Sequence, residues 1–303
     1  MKVIFCADPL NNKKVDMDYE AEYNAAKELG LETELIGFED LVCDDNPSAA
    51  VRKIKDQKET TFALYRGWMM RPQKYEKLYN ALKLKGIELV NTPESYRQCH
   101  YLPESYCVIQ NYTAKTIWFQ IDKYYKSPDE VYEEVEKVFG NASLVIKDYV
   151  KSRKHEWEDA CFIPDASDRK RVKRVVDKFI ELQGDDLNEG IVFREFLKLE
   201  FLSRHSKSKM PLTKEFRIFF FYGKPLMLLY YWDEGDYGEL MPDITKFTKV
   251  AKNIGSRFFT MDIAKLEDGD WSIVELGDAQ VSGLPDNADI YEFYKGIKER
   301  LKL

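Results

Sequence analysis

Two carboxylates in the last quarter of the chain stand where a β-hairpin would set them against each other. Asp268-Gly269 is a tight-turn pair between two strand-like runs, Phe259 to Ala264 and Trp271 to Leu276. A two-residue hairpin centred on that pair puts Asp262 directly opposite Glu275. Opposed residues hold their Cβ atoms about 5 Å apart on one face, where like charges destabilise. At a similar charge separation and an effective dielectric of about 20, the repulsion is roughly 3 kcal/mol. A divalent cation would offset it, and hard carboxylate oxygens suit magnesium brought in with substrate phosphates. Carboxylates splayed into water are the alternative, but the apolar neighbours Ile263, Val274 and Leu276 argue for a buried sheet.

A second group of residues could meet an anion. Leu144 to Asp148 is a short apolar strand carrying Lys147, followed by a basic loop, Tyr149 to Trp157, with Lys151, Arg153 and Lys154. A lysine in an apolar strand is costly to bury unless an anion meets it, and phosphate is the natural anion; a strand-end lysine reaching solvent is the other reading. Glu215 and Arg217 lie two apart, so they share one face of a strand. They either pair with each other or serve a ligand. Ile191 to Leu197 reads from its residues as a half-buried strand. The stretch Phe201 to Thr213 is basic, with Arg204, Lys207 and Lys209, and lacks periodicity, so it reads as a mobile loop. No Ser-His or Cys-His nucleophile pattern stands out, and His100, His155 and His205 are too scattered for a zinc site.

These residues need elements to position them. The N-terminal third alternates short apolar strands with amphipathic helices, the pattern of a mainly parallel α/β layer. Strands are expected at Val3 to Cys6, Glu32 to Ile36, Thr61 to Tyr65 and Ile87 to Val90, with helices at Tyr19 to Leu29 and Gln73 to Lys85 closed by Gly30 and Gly86. Ligands of open α/β sheets bind beyond the strands' carboxyl ends, where Asp8, Asn11, Arg66, Trp68 and Asn91 stand. Pro103 interrupts a helix that starts at Thr92-Pro93-Glu94 and marks a boundary. Ser127-Pro128-Asp129-Glu130 opens a helix to Phe139, residues 168 to 183 form another, and Pro242 to Asn253 and Asp289 to Leu303 form two more.

The 303 residues suffice for one large domain or two to three small ones. With 44% hydrophobic and 33% charged residues the composition is globular, and a net charge of -7 argues against a general nucleic-acid or anionic-membrane binder. The N-terminal apolar run is too short for a signal peptide, and no stretch approaches the ~20 residues that span a bilayer. Five scattered cysteines without a CxxC fit reduced thiols, hence a cytoplasmic protein.

The Asp262, Glu275 and Gly277-Asp278 set resembles the metal-binding end of the ATP-grasp ligases, and ELGDAQVSGLP is similar to a small branch of them associated with bacteria and phages. More distant similarity connects the chain to tubulin tyrosine ligase-like and D-Ala-D-Ala ligase-like enzymes. The resemblance covers nearly the whole chain and implies an α/β (α+β overall) ATP-grasp fold. Its parts would be an N-terminal pre-ATP-grasp domain at 1–105, a central lid subdomain at 106–185 and a C-terminal antiparallel sheet at 186–303. It implies ATP and Mg2+ as cofactors. Asp262, Glu275 and Asp278 would hold the metal, Asp278 standing in for an asparagine the family places at the position of Gly277. The VIK strand implies that Lys147 touches the nucleotide phosphates, and NTPESYRQCHYLPESY offers Arg97, with His100 near it, where the family has a second phosphate-binding lysine. Glu195, Phe196 and Leu197 match the segment that receives adenine. Lys214 and Glu215 fall on the nucleotide side, and Arg217 on the terminal phosphate, which its planar fork suits. The implied activity is ADP-forming carboxylate–amine ligation through an acylphosphate, the partners being ATP, a carboxylate and an amine from an amino acid, peptide or protein terminus. A small-molecule kinase or a non-catalytic nucleotide-binding module are the alternatives.

Overall fold

The computed structural model describes residues 1–207 and 209–300. Position 208 of the expected basic loop and residues 301–303 of the expected terminal helix lie outside the described residues. Strands β1 (Lys2–Cys6), β2 (Glu32–Ile36), β3 (Thr61–Arg66) and β4 (Ile87–Leu89) form a parallel sheet in the order β2-β1-β3-β4. Both faces are covered, as parallel sheets require. On one, Ile4, Cys6, Ala63 and Tyr65 pack with Tyr75, Leu78 and Leu82 of the helix Pro72–Leu84. On the other, Val3, Phe5 and Leu64 join a core with Phe293, Tyr294 and Ile297 of the helix Ile290–Arg300.

Strands β5 (Thr116–Gln120), β6 (Leu144–Lys147), β7 (Phe162–Ile163) and β8 (Gly190–Glu195) form an antiparallel sheet ordered β5-β8-β6-β7. Its core is made with the helices Pro128–Phe139 and Arg169–Gln183, whose stripes of Val131, Val135, Phe139, Val172, Val175, Val176 and Phe179 are all buried. The interruption expected at Pro103 is present: the helix Pro93–His100 ends and Tyr101 is extended. The chain enters a new helix there, Leu102–Ile109, with the proline in its first turn, where its missing N–H costs nothing.

A short hairpin of β9 (Phe201–Arg204) and β10 (Pro211–Thr213) follows. The mobile loop expected at 201–213 is therefore corrected: its ends pair as strands. The last sheet has the order β12-β11-β13-β14, from β11 (Glu215–Phe221), β12 (Lys224–Tyr230), β13 (Phe258–Lys265) and β14 (Trp271–Asp278). Tyr222 and Gly223 join β11 to β12 with φ of 50° and 70°, the left-handed pair that suits a two-residue hairpin.

The chain resolves into two compact units where three subdomains were expected. One comprises residues 1–100, 202–263 and 275–303, and the other residues 101–201 and 264–274. Strand β8 lies beyond the expected boundary at 185, yet it pairs with both β5 and β6 and so belongs to their sheet. Among the described residues no helix is long and apolar enough to cross a membrane.

Candidate active site

In the first unit, the pairing of β11 with β12 sets the chemistry. Phe216 pairs with Tyr230 and Arg217 with Leu229, and the Tyr231 amide donates to the Glu215 carbonyl at 3.0 Å. Glu215 and Arg217 therefore share a face with Tyr231, which is directly across from Glu215 and diagonal to Arg217. Further along the same face Phe219 enters the apolar core, its ring 5.1 Å from Phe293. One end of the face is thus sealed by apolar side chains and the other is polar.

At that polar end Arg217 reaches the neighbouring strand. Its Nε and Nη2 donate to Asp262 Oδ1 and Oδ2, both at 2.8 Å, a fork-to-fork pair between mostly buried groups. Nη1 donates to the Gly283 carbonyl at 3.0 Å, and the guanidinium lies 4.8 Å from the centre of the Tyr231 ring. Burial works against the guanidinium's charge, but the charge and hydrogen bonds of Asp262 outweigh it, with smaller help from Tyr231 and Glu275, so its pKa rises. In this structure Arg217 pairs with Asp262 and feels the charge of Glu275, where the spacing alone had suggested a metal cation.

The hairpin that carries those carboxylates differs at its tip from a two-residue turn. Leu266 N–H donates to Asp270 O at 2.8 Å and Gly269 N–H to Leu266 O at 3.0 Å, so the loop has three residues, with Gly269 at φ 95°. At the base, Ala279 N–H reaches Phe258 O at 3.3 Å, the register the shorter turn would give. Asp262 is buried and Glu275 exposed, and both act on the charge of Arg217 and on Tyr231.

Asp278 stands apart from them. It is three residues from Glu275 on an alternating strand and is 1% exposed. Its Oδ2 accepts from Asn91 Nδ2 at 2.6 Å, and its Oδ1 accepts from the Gln280 amide at 2.9 Å and Gln280 Nε2 at 3.2 Å. Burial pushes its pKa up to about 7 against the pull of these donors. Gly277 explains why no side chain stands between: a Cβ there would lie 2.6 Å from Thr260 Oγ1 and 2.8 Å from Ser282 Oγ. Among the described residues no group of three or more His, Cys, Asp or Glu side chains is arranged to hold a metal. Asp262 and Glu275 remain as two hard donors on one polar surface. That suits magnesium, which takes one or two carboxylates and fills its octahedron with phosphate and water oxygens.

Other expected contacts are redistributed. Arg97 lies exposed on the helix Pro93–His100, whereas His100 is buried, its ring 5.1 Å from Tyr96. Arg66, expected at a strand end facing a ligand, is fully buried and is corrected to a structural role. Its Nε and Nη2 donate to Glu22 at 2.8 and 2.7 Å and its Nη1 to the Ser282 carbonyl at 2.8 Å and the Ala279 carbonyl, while Tyr294 Oη donates to Glu22 at 2.6 Å. Lys214 is half-buried just before β11. Glu215 is 9% exposed and accepts from Thr213 Oγ1 and, at 3.3 Å, from the Trp232 indole. On the β9–β10 hairpin, Arg204 donates to the Lys209 carbonyl at 3.2 Å, and the Ser206 amide and hydroxyl both donate to Glu234 at 2.6 Å.

In the second unit, Lys147 ends β6 opposite Val192, while Glu195 ends β8 opposite Leu144. Three strand positions, about 10 Å, separate the two along the ladder. Lys147 and Lys154 both act on the buried Cys161 thiol, whose pKa burial pushes up to about 11 against their pull. Phe196, 38% exposed, meets two aromatics that the residue pattern did not single out: Trp157 and Phe162 stack at 5.1 Å and 10°, and the Phe196 ring lies 5.9 Å from Trp157 and 5.2 Å from Phe162. Leu197 is half-buried beside it. Asp148 organises the basic loop, accepting from the amides of Val150 and Lys151 at 2.7 and 2.5 Å and from Gln183 Nε2 at 2.8 Å.

Known structures share this fold at low sequence identity. The ATP-grasp ligase PsnB, complexed with minimal precursor, Mg and ADP, aligns with a TM-score of 0.58 and 11% identity over 99% of this chain and 96% of its own. A RimK domain ATP-grasp protein from Sphaerobacter thermophilus gives 0.60 and 12% over 99% and 98%, and the D-cycloserine synthetase DcsG gives 0.59 and 12% over 99% and 100%. No curated protein matches the chain in sequence. The profile of the ATP-grasp domain, R2K clade family 3, matches residues 138–297. That span is more than half of the 303 residues, and the chain belongs to the ATP-grasp family in its R2K clade.

Proposed function

We propose that this ATP-grasp enzyme is an ADP-forming carboxylate–amine ligase using MgATP. The observation that carries the reading is the gathering of Arg217, Asp262 and Glu275 at the polar end of one sheet face. Asp262 and Glu275 are the residues that would hold the cation. Asp278 is assigned to support behind them, since it is 1% exposed and lies three residues from Glu275, on the other face of the strand. When bound, magnesium supplies charge neutralisation on the phosphate oxygens. Arg217 offers a planar fork to the phosphoryl group as it moves, and charge stabilisation of this kind is most of what phosphoryl transfer needs from a protein. Lys147 is assigned to the nucleotide phosphates, Arg97 to a supporting phosphate contact, and Glu195, Phe196 and Leu197, with the Trp157–Phe162 aromatic pair, to the adenine. Lys214 and Glu215 serve the ribose or metal side.

A substrate carboxylate oxygen attacks the terminal phosphorus of ATP as the bond to ADP breaks. An amine then attacks the acyl carbon, forming the amide, expelling phosphate and losing its proton. The fold does not choose the substrate, since its neighbours include both a ligase complexed with a precursor and a D-cycloserine synthetase. We assign an acidic amino acid or peptide to the basic hairpin carrying Arg204, Lys207 and Lys209. Reduced cysteines fit a cytoplasmic setting.

The test is incubation with MgATP and pools of amino acids and peptides, following ADP release and new masses. An amide product with ADP and inorganic phosphate is expected, and K147A and E275A should each lower turnover by about 100-fold or more. A stable phosphoryl adduct would instead identify a kinase. Folded variants with wild-type ATP use would remove these residues from the site.

A further inference from the structure

The two oxygens of Asp262 are the point of conflict in the site. Arg217 takes both of them, each at 2.8 Å, and any cation held by Asp262 must take at least one. Arg217 then keeps at most part of its fork on Asp262, together with the Gly283 carbonyl at 3.0 Å and the Tyr231 ring at 4.8 Å. An arginine side chain has many rotamers, and one or two oxygens at its tip leave several of them open. An aromatic face restricts the guanidinium to a plane.

The ring is itself fixed in place before any ligand arrives. The Tyr231 amide is tied to the Glu215 carbonyl at 3.0 Å, and its ring packs edge-on against Trp232 at 4.8 Å and 73°. The Trp232 indole donates to Glu215 Oε1 at 3.3 Å, and Tyr237 Oη donates to the Glu215 carbonyl at 2.9 Å. Resting on the reading of Arg217 and Asp262 above, we propose that Tyr231 is a positioning residue: its face holds the Arg217 guanidinium in the site when a metal cation claims Asp262, so that the fork meets the phosphoryl group being transferred.

The face, rather than the hydroxyl, does this, so Y231F should keep kcat within about twofold of wild type. Y231L should lower kcat about tenfold or more with the KM for ATP within about threefold, because Arg217 acts on the moving charge. A second readout needs no turnover. The Nε–H resonance of Arg217, identified by its loss in R217K, should be shifted by the ring current. After Mg2+ and ADP are added it should stay shifted in wild type and Y231F and move to the position of a free guanidinium in Y231L. Should Y231L fail to fold, phenylalanines bearing one to three ring fluorines at position 231 weaken the face without changing its shape, and kcat should fall stepwise along that series. Unchanged kcat in Y231L, an equal loss in Y231F, a flat fluorine series, or an Nε–H signal indifferent to the ring would each overturn the proposal. A wild type that consumes no ATP would sink the ligase reading instead, and the resonance measurement would still decide the role of Tyr231.

Discussion

Arg66 brings a forked cation into a core where nothing is solvated, and Glu22, the Ser282 and Ala279 carbonyls and the face of Phe293 meet it there. Removing only one partner of such a pair leaves a buried charge uncompensated, which costs about 3–5 kcal/mol. R66M should therefore lower the urea-unfolding free energy by about that amount, and adding E22Q to R66M should recover part of the loss. The sequence hid this. An arginine at the carboxyl end of a parallel strand reads as a ligand contact, and the residues that bury it lie 44 and 216 positions away. Asp278 was hidden in the same manner, since its burial against Asn91 and Gln280 shows only once the chain is folded. The Arg217 and Asp262 pair was half legible. Each residue stood out by type, but Glu215 was the partner that strand spacing suggested for the arginine, and only the order of strands puts β13 beside β11.

Among elements, most regular strands and long helices were read to within a residue or two, because period-2 and period-3.6 burial leaves a direct mark on composition, but β5 (Thr116–Gln120) was not read and the helix expected from Pro242 starts at Thr245. Irregular pairings left no such mark. Counting back from Tyr222-Gly223 would place Tyr230 opposite Glu215. A register shift between Phe219 and Phe220 moves the ladder by one and brings Tyr231 there instead, diagonal to Arg217. The β9–β10 hairpin escaped for a similar reason. Its strands of four and three residues are too short to show alternation, and its tip is tied to Glu234, 28 residues on from Ser206. That hairpin carries the acceptor assignment. R204S, K207S and K209S combined should raise the KM for the acidic substrate about tenfold while leaving that for ATP unchanged, read by ADP release. An unmoved acceptor KM would remove the hairpin from the acceptor site.

For the whole molecule, one buried carboxyl should make stability depend on pH near neutrality. The folded pKa of Asp278, about 7, lies above the ordinary carboxylate value, so the folded state holds a proton that the unfolded chain has released. Its contribution is therefore present at acid pH and is lost as pH rises through 7. Relative to D278N, wild type should lose on the order of a few kcal/mol between pH 5 and pH 8, measured as Tm and urea midpoints; parallel profiles would disprove the shift. The core of the first unit is assembled from distant parts of the chain: Val3 and Phe5 of β1 are sealed by Phe293, Tyr294 and Ile297. Protein synthesis proceeds from the N-terminus at ~5–20 residues per second, so about 10–40 s separate the emergence of β4 from that of the final helix. Through that interval Ala26 and Tyr23 of the helix Glu20–Glu28 cover only part of that side of the parallel sheet, so nascent chains arrested before residue 290 should bind holding chaperones more than chains that include the helix Ile290–Arg300.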